Sequence, residues 1–181
     1  MADPRDPRPL TGEPLSLDLL NTRWAGTPVN DLLTDLDGYR TWLASNCLAG
    51  RCPADQQGLD AVRATRDALQ SLLDDAAAGR PADPRALNAI LARGRLRHSL
   101  TPDGPEQRVE VDGEQWLAAW LAADNYLELL GRGAHRIKAC AHPNCILHFF
   151  DTSQNGRRRW CSMAVCGNRA KAARHYEKAT R

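Results

Sequence analysis

Apolar residues recur at helical spacing over most of the first 130 positions. In "LTDLDGYRTWLASNCLA", Leu33, Leu36, Tyr39, Leu43 and Cys47 share one face, with Thr34 or Asp35 placed to cap it. Cys47 on that face reads as a buried thiol. "PADQQGLDAVRATRDALQSLLDDAAAG" opens with proline and closes with glycine, and Leu59, Val62, Leu69, Leu72, Leu73 and Ala76 line one side. "DPRALNAILARG" repeats the form, with Asp83 as cap, Pro84 in the first turn and Gly94 at the end. "EQWLAAWLAADNYLELLGRG" predicts a fourth helix, with Trp116, Trp120, Leu127 and Leu130 on its apolar side. The period changes to two at Leu96, His98 and Leu100 and again at Val109 and Val111, which predicts a β-hairpin around a Pro/Gly loop. "LSLDLLNT" (15–22) is apolar but too short to assign to helix or strand.

The chain has 181 residues with 43% hydrophobic content, enough for a core. No apolar run approaches the ~18 residues of a membrane span. "MADPRDPRPLTGEP" is charged and proline-rich and lacks the apolar stretch of a signal peptide, so residues 1–12 are expected to be a disordered tail on a cytoplasmic protein. The net charge of +2 conceals an asymmetry: residues 132–181 hold 11 Lys/Arg and 2 Asp/Glu, a net +9, leaving −7 on residues 1–131. A basic C-terminal segment on an acidic body suits a polyanionic partner, with a solvated charged tail as the plain alternative.

Four of the six cysteines fall in that basic segment as Cys140-x4-Cys145-x15-Cys161-x4-Cys166. Two short cysteine pairs can supply the four ligands of a tetrahedral zinc site from two local turns. His142, His148 and His175 are alternative ligands, but four paired cysteines make the simpler set. A disulfide reading needs an oxidising compartment, and the x4 spacing is not that of a Cys-x-x-Cys redox motif. Cys47 and Cys52 repeat the spacing without a second pair. "ILHFFD" and "RRRWCS" predict strands joined at Asn155-Gly156, followed by a helix from Met163 whose inner side holds Met163, Ala170, Ala173 and Tyr176. Knuckle, hairpin and helix together make a treble-clef-like finger over residues 135–181. Metal would supply the stability that so small a core lacks.

Arg157, Arg158 and Arg159 follow the predicted turn, and strand alternation divides their faces. With Arg169, Lys171, Arg174 and Lys178 they form a candidate phosphate-binding set for double-stranded DNA. The competing reading has one or two arginines pairing with Asp151 or capping local carbonyls, and Asn168 and Arg169 bracing the finger.

"FFDTSQNGRRRWCSMAVCGNRAKAARHY" resembles the CGNR zinc-finger family, through Cys166-Gly167-Asn168-Arg169 and through Asp151, Thr152, Ser153, Asn155, Arg158, Arg159, Trp160, Cys161, Ser162, Met163 and Lys171. "LSLDLLNTRW" and "DLLTDLDGYRTWL" are more loosely similar to the ABATE domain that usually precedes this finger. The resemblance implies a bacterial, stress-responsive transcription regulator with an N-terminal regulatory domain and a C-terminal DNA-binding finger.

The expected fold is mainly α, within the α+β class. It has a helical domain (13–131) with a small hairpin, then the finger. The expected function is a nucleoid-associated regulator with structural zinc, not an enzyme. Its body would dimerise or sense a small effector. A protein-interaction finger without DNA binding is the alternative. Trp24, Trp42, Trp116 and Trp120 read as core, with a ligand pocket as the weaker possibility. No nucleophile–base pair or phosphate-binding glycine loop occurs in the body.

Overall fold

The computed structural model describes residues 4–172. Five helices build the body: α1 (Leu15–Leu20), α2 (Leu36–Ser45), α3 (Gln56–Ala77), α4 (Arg85–Leu91) and α5 (Leu117–Gly133). Among the described residues, six strands pair as three separate antiparallel ribbons: β1 (Arg23–Trp24) with β2 (Asn30–Asp31), β3 (Gly94–Thr101) with β4 (Gly104–Val111), and β5 (Ile137–Ala139) with β6 (His148–Phe150). The mainly helical α+β expectation thus holds, and "LSLDLLNT" resolves as the helix α1.

Aspartate side chains cap α2 and α3, whereas α4 starts after Pro84, which offers no side-chain cap. Asp35 accepts the Gly38 N–H at 2.9 Å at the start of α2, and Asp55 accepts that of Gly58 at 2.8 Å at the start of α3. Leu59, Val62, Leu69 and Leu72 bury the predicted face of α3. In α5 the buried face matches the expectation at Trp120 but otherwise differs from it. Small residues Ala118, Ala119, Ala122 and Ala123, with Tyr126 and Leu129, face inward, whereas Leu127 and Leu130 are exposed. The alanines let α5 approach α1 and α3 closely, so shape, more than side-chain size, selects the inner side. Cys47 also departs from its expected place. The α2 helix ends at Ser45, the chain turns at Cys47 with φ 57°, and its thiol is exposed, while Cys52 is buried.

Two buried ionic clusters tie the loops to the helices. Asp18, inside apolar α1, accepts from Arg8 (2.7 Å), the Trp42 indole (3.0 Å), Asn46 (2.8 Å) and the Gly12 N–H (3.1 Å). A buried carboxylate needs such partners. Arg8 is therefore itself buried, within the stretch expected to be disordered. Arg66 on α3 grips Asp31 with two nitrogens at 2.6 and 2.8 Å and Thr22 at 2.7 Å. This fixes the β1–β2 turn beside the C-terminal module.

Candidate metal centre and basic face

The C-terminal module starts directly from α5. β5 leads into the turn that carries Cys140 and Cys145, and β6 returns antiparallel, pairing Ile137 with Phe150 and Ala139 with His148. The predicted pairing of "ILHFFD" with "RRRWCS" does not form. The β6 strand takes β5 as its partner, and residues 151–162 form a loop instead.

Asp151 organises that loop. Its buried carboxylate accepts from Lys138 Nζ at 2.7 Å, the Ser153 N–H at 2.9 Å, the Ser153 hydroxyl at 2.5 Å and the Arg158 N–H at 3.0 Å. Lys138 foremost, then Ser153, holds this carboxyl well below the usual carboxylate range. Asn155-Gly156 does turn, with Gly156 at φ +61°, but inside the loop and not between two strands. The chain then enters a π-helical turn, Met163–Gly167, which continues as α-helix through 168–172.

These segments bring Cys140, Cys145, Cys161 and Cys166 together, with their sulfurs all within 4.8 Å of one another. Cys145 and Cys161 sulfurs lie 3.8 Å apart, and those of Cys161 and Cys166 3.6 Å. A zinc ion with Zn–S bonds of 2.3 Å needs tetrahedron edges of roughly 3.8 Å, so the donor set fits that ion in both chemistry and spacing. No histidine belongs to the cluster among the described residues, and His175 lies outside them. The Cys161 N–H donates to the Cys140 sulfur at 3.4 Å. As thiols, the clustered sulfurs compete for protons. The hydrogen bond from Cys161 pulls Cys145 down to about 5, whereas Cys161 is pushed well up, first by that same bond and then by burial. Burial raises Cys166 to about 11.

The body closes over this centre. Trp24 and Pro9 join Cys145, Cys161, Cys166 and Arg169 around a cavity of about 180 Å³. Asn21, at the end of α1, docks on β6 like a short strand: its amide donates to the His148 carbonyl at 2.9 Å and accepts the His148 N–H at 2.8 Å. Glu13 accepts the Phe150 N–H and an Arg158 nitrogen, each at 3.0 Å. Successive side chains of β6 then serve different cores, with Phe149 under the cysteines and Phe150 in the body. Asn21 and Glu13 were missed in the sequence. Their one signal is a polar residue inside or beside an apolar run.

The arginine triplet divides by role. Arg158 is turned inward. It donates to the Trp160, Phe150 and Cys161 carbonyls and to Glu13, and lies 4.2 Å over the Phe149 ring. It therefore caps local carbonyls, as the competing sequence reading has it. Arg157 and Arg159 are exposed on the rim of an open basin of about 720 Å³ that also includes Thr152, Ser162, Trp160 and Met163. Arg169 and Lys171 are exposed on the last helix, whereas Arg174 and Lys178 lie outside the described residues, as do Ala173 and Tyr176.

The tryptophans occupy separate settings. Trp42 is fully buried against Asp18, and the Trp120 indole donates to the Leu91 carbonyl at 3.0 Å. Trp116 lies under Arg93, 5.1 Å from the guanidinium carbon to the ring centre, and Trp24 faces the cysteine cavity.

A helical body with a four-cysteine centre built onto one end defines a protein whose basic module is organised around a metal-binding donor set. Over residues 13–133 the chain matches the ABATE model, described as a putative stress-induced transcription regulator, and it belongs to that family. Residues 136–179 match the CGNR zinc finger. These descriptions name a regulator and a zinc finger, and neither names an enzyme. No curated protein matches the chain. Among the described residues no helix is long and apolar enough to cross a membrane.

Proposed function

We propose that this chain is a DNA-binding transcription regulator whose finger is held by one structural zinc ion on Cys140, Cys145, Cys161 and Cys166. The observation that carries the reading is the convergence of four sulfurs within 4.8 Å, one of which, that of Cys161, belongs to a residue lining the basin rimmed by the exposed Arg157 and Arg159. Zinc bound there supplies folding energy, on the order of 10–16 kcal/mol in small finger peptides, and all four ligand positions are filled by protein. The residues around the site have the remaining tasks. Asp151 and Arg158 shape the loop, Arg157 and Arg159 meet phosphate oxygens, and Arg169 and Lys171 extend the positive surface along the helix. Residues 13–131 serve as the regulatory part and 135–181 as the binding part, in a protein working at the nucleoid.

The test is fluorescence anisotropy of the zinc-loaded protein with duplexes from its own promoter region over a salt series. Specific binding should weaken steeply with salt. Arg157→Ala should reduce the log–log slope by about 0.9 for a lost phosphate contact. Absence of salt-sensitive DNA binding, with co-purification of one acidic protein instead, would replace this reading with a protein-interaction finger.

A further inference from the structure

The β3–β4 ribbon stands away from the body along β3 and at its tip, while Val109, Glu110 and Val111 of β4 are half-buried. Its strands pair from Gly94↔Val111 out to Thr101↔Gly104 around a two-residue turn, Pro102-Asp103, and the six central residues of β3 are exposed. Its root is fixed: the Asp112 N–H donates to the Arg93 carbonyl at 2.8 Å, and a Cβ on Gly94 would lie 2.7 Å from the Trp120 ring. The remainder is a two-stranded sheet with no third strand among the described residues, an arrangement of marginal stability in water. One face carries Leu96, Leu100, Val109 and Val111, and Leu100 is 85% exposed. The other carries Arg95, Arg97 and Arg108 with Glu106 and Glu110.

The edges are not equivalent. A two-residue turn makes Thr101 and Gly104 a hydrogen-bonded pair, so by alternation residues 105, 107, 109 and 111 direct their backbone groups outward from β4. Pro105 has no N–H, but Gln107, Val109 and Val111 each present one. β3 carries only basic charge, Arg95 and Arg97, whereas β4 reads Glu106, Arg108, Glu110 in alternation.

We propose that the β4 edge pairs antiparallel with the β4 edge of a second copy, about a two-fold axis at Val109, to give one continuous four-stranded sheet. In that register Gln107 meets Val111 of the other copy, Val109 meets Val109, and every outward N–H and carbonyl of these residues is used. Pro105 falls beyond the last bonded pair. On the charged face Arg108 lies directly opposite Glu110 of the second copy, twice by symmetry, at the closer-spaced non-bonded positions. Centring on Gln107 instead would require a donor from Pro105. The same register carries each ribbon tip, with Leu100, toward residues 113–116 of the second copy, where α5 begins. The symmetric, self-complementary patch is what a two-fold dimer requires, and the inference stands independently of DNA binding.

The test is sedimentation velocity on the zinc-loaded full chain and its variants, with circular dichroism as the folding control. Wild type should be dimeric. Arg108→Glu alone and Glu110→Arg alone should each weaken dimerisation roughly tenfold or more, since each places two like-charged pairs in register. Mixing the two single variants should restore the dimer, because every cross-copy pair is then of opposite sign. Val109→Pro, which removes an outward N–H that the ribbon itself does not use, should also yield monomer. A monomeric wild type, a dimer indifferent to these variants, or a mixture that stays monomeric would overturn the proposal.

Discussion

Adjacent arginines with the same sequence context have opposite consequences in this fold. Arg158→Ala would take this donor from three carbonyls and leave Glu13 with the Phe150 N–H alone. It should cost about 3 kcal/mol in denaturant unfolding. Arg157→Ala should stay within about 0.5 kcal/mol and act on DNA affinity alone. Asn21→Ala exposes the same logic on the body side. It strips the partners from the half-buried His148 N–H and carbonyl, for roughly 1–3 kcal/mol. Asn21→Asp should be no better, because a carboxylate cannot donate to that carbonyl; urea melts of the three proteins check the order. The four-cysteine spacing was readable because it is local chemistry. That an arginine of the triplet would cap local carbonyls was readable too, but which one was not, nor were the roles of Asn21 and Glu13, since each depends on a partner more than a hundred residues away or on a loop conformation that periodicity does not encode.

At the level of elements, α2 and α3 were legible from their caps and apolar spacing and the β3–β4 ribbon from its change of period, whereas α1 was too short to assign and alanines set most of the inner face of α5. The strand partner in the finger was not. "ILHFFD" fits either neighbour, and the choice falls to β5 because Asp151 fastens the following loop to Lys138 and Ser153. The cysteine cluster sets a pH dependence on this unit. Cys161 and Cys166 are held protonated at neutral pH without metal, so zinc binding should release at least two protons. Affinity should then fall as pH falls, since protons compete for the same sulfurs. Calorimetric titration in buffers of different ionisation enthalpy measures the number directly. A release near zero would contradict the four-thiolate site. Removing zinc by chelation should raise amide exchange across 140–145 and 158–172. It should leave α3 and α5 protected.

For the whole molecule, charge and packing divide the labour differently. The +9 and −7 halves were visible in the sequence, yet the physical seam between them is not at the charge boundary. Glu13 and Asn21 belong to the acidic half and hold the basic one. Arg132 extends over the Phe150 ring at 4.7 Å from the end of α5. A ligand or a dimer contact that shifts α1 or α5 would therefore displace the strand that supports the cysteine turn. Asn21→Ala should loosen β6 even with zinc bound, which faster amide exchange across 148–150 would read.

The alternation of Phe149 and Phe150 has a practical corollary for anyone dissecting or rebuilding this protein. One strand serves as a rivet through two plates, so the finger is not a portable part. A fragment cut at residue 135 would keep all four thiols but expose the Phe150 ring and orphan the backbone groups that Asn21 and Glu13 serve. It should load metal and still self-associate. A chimaera that grafts another finger onto this body would need an aromatic plug of the same size at position 150, because the body's core is incomplete without it.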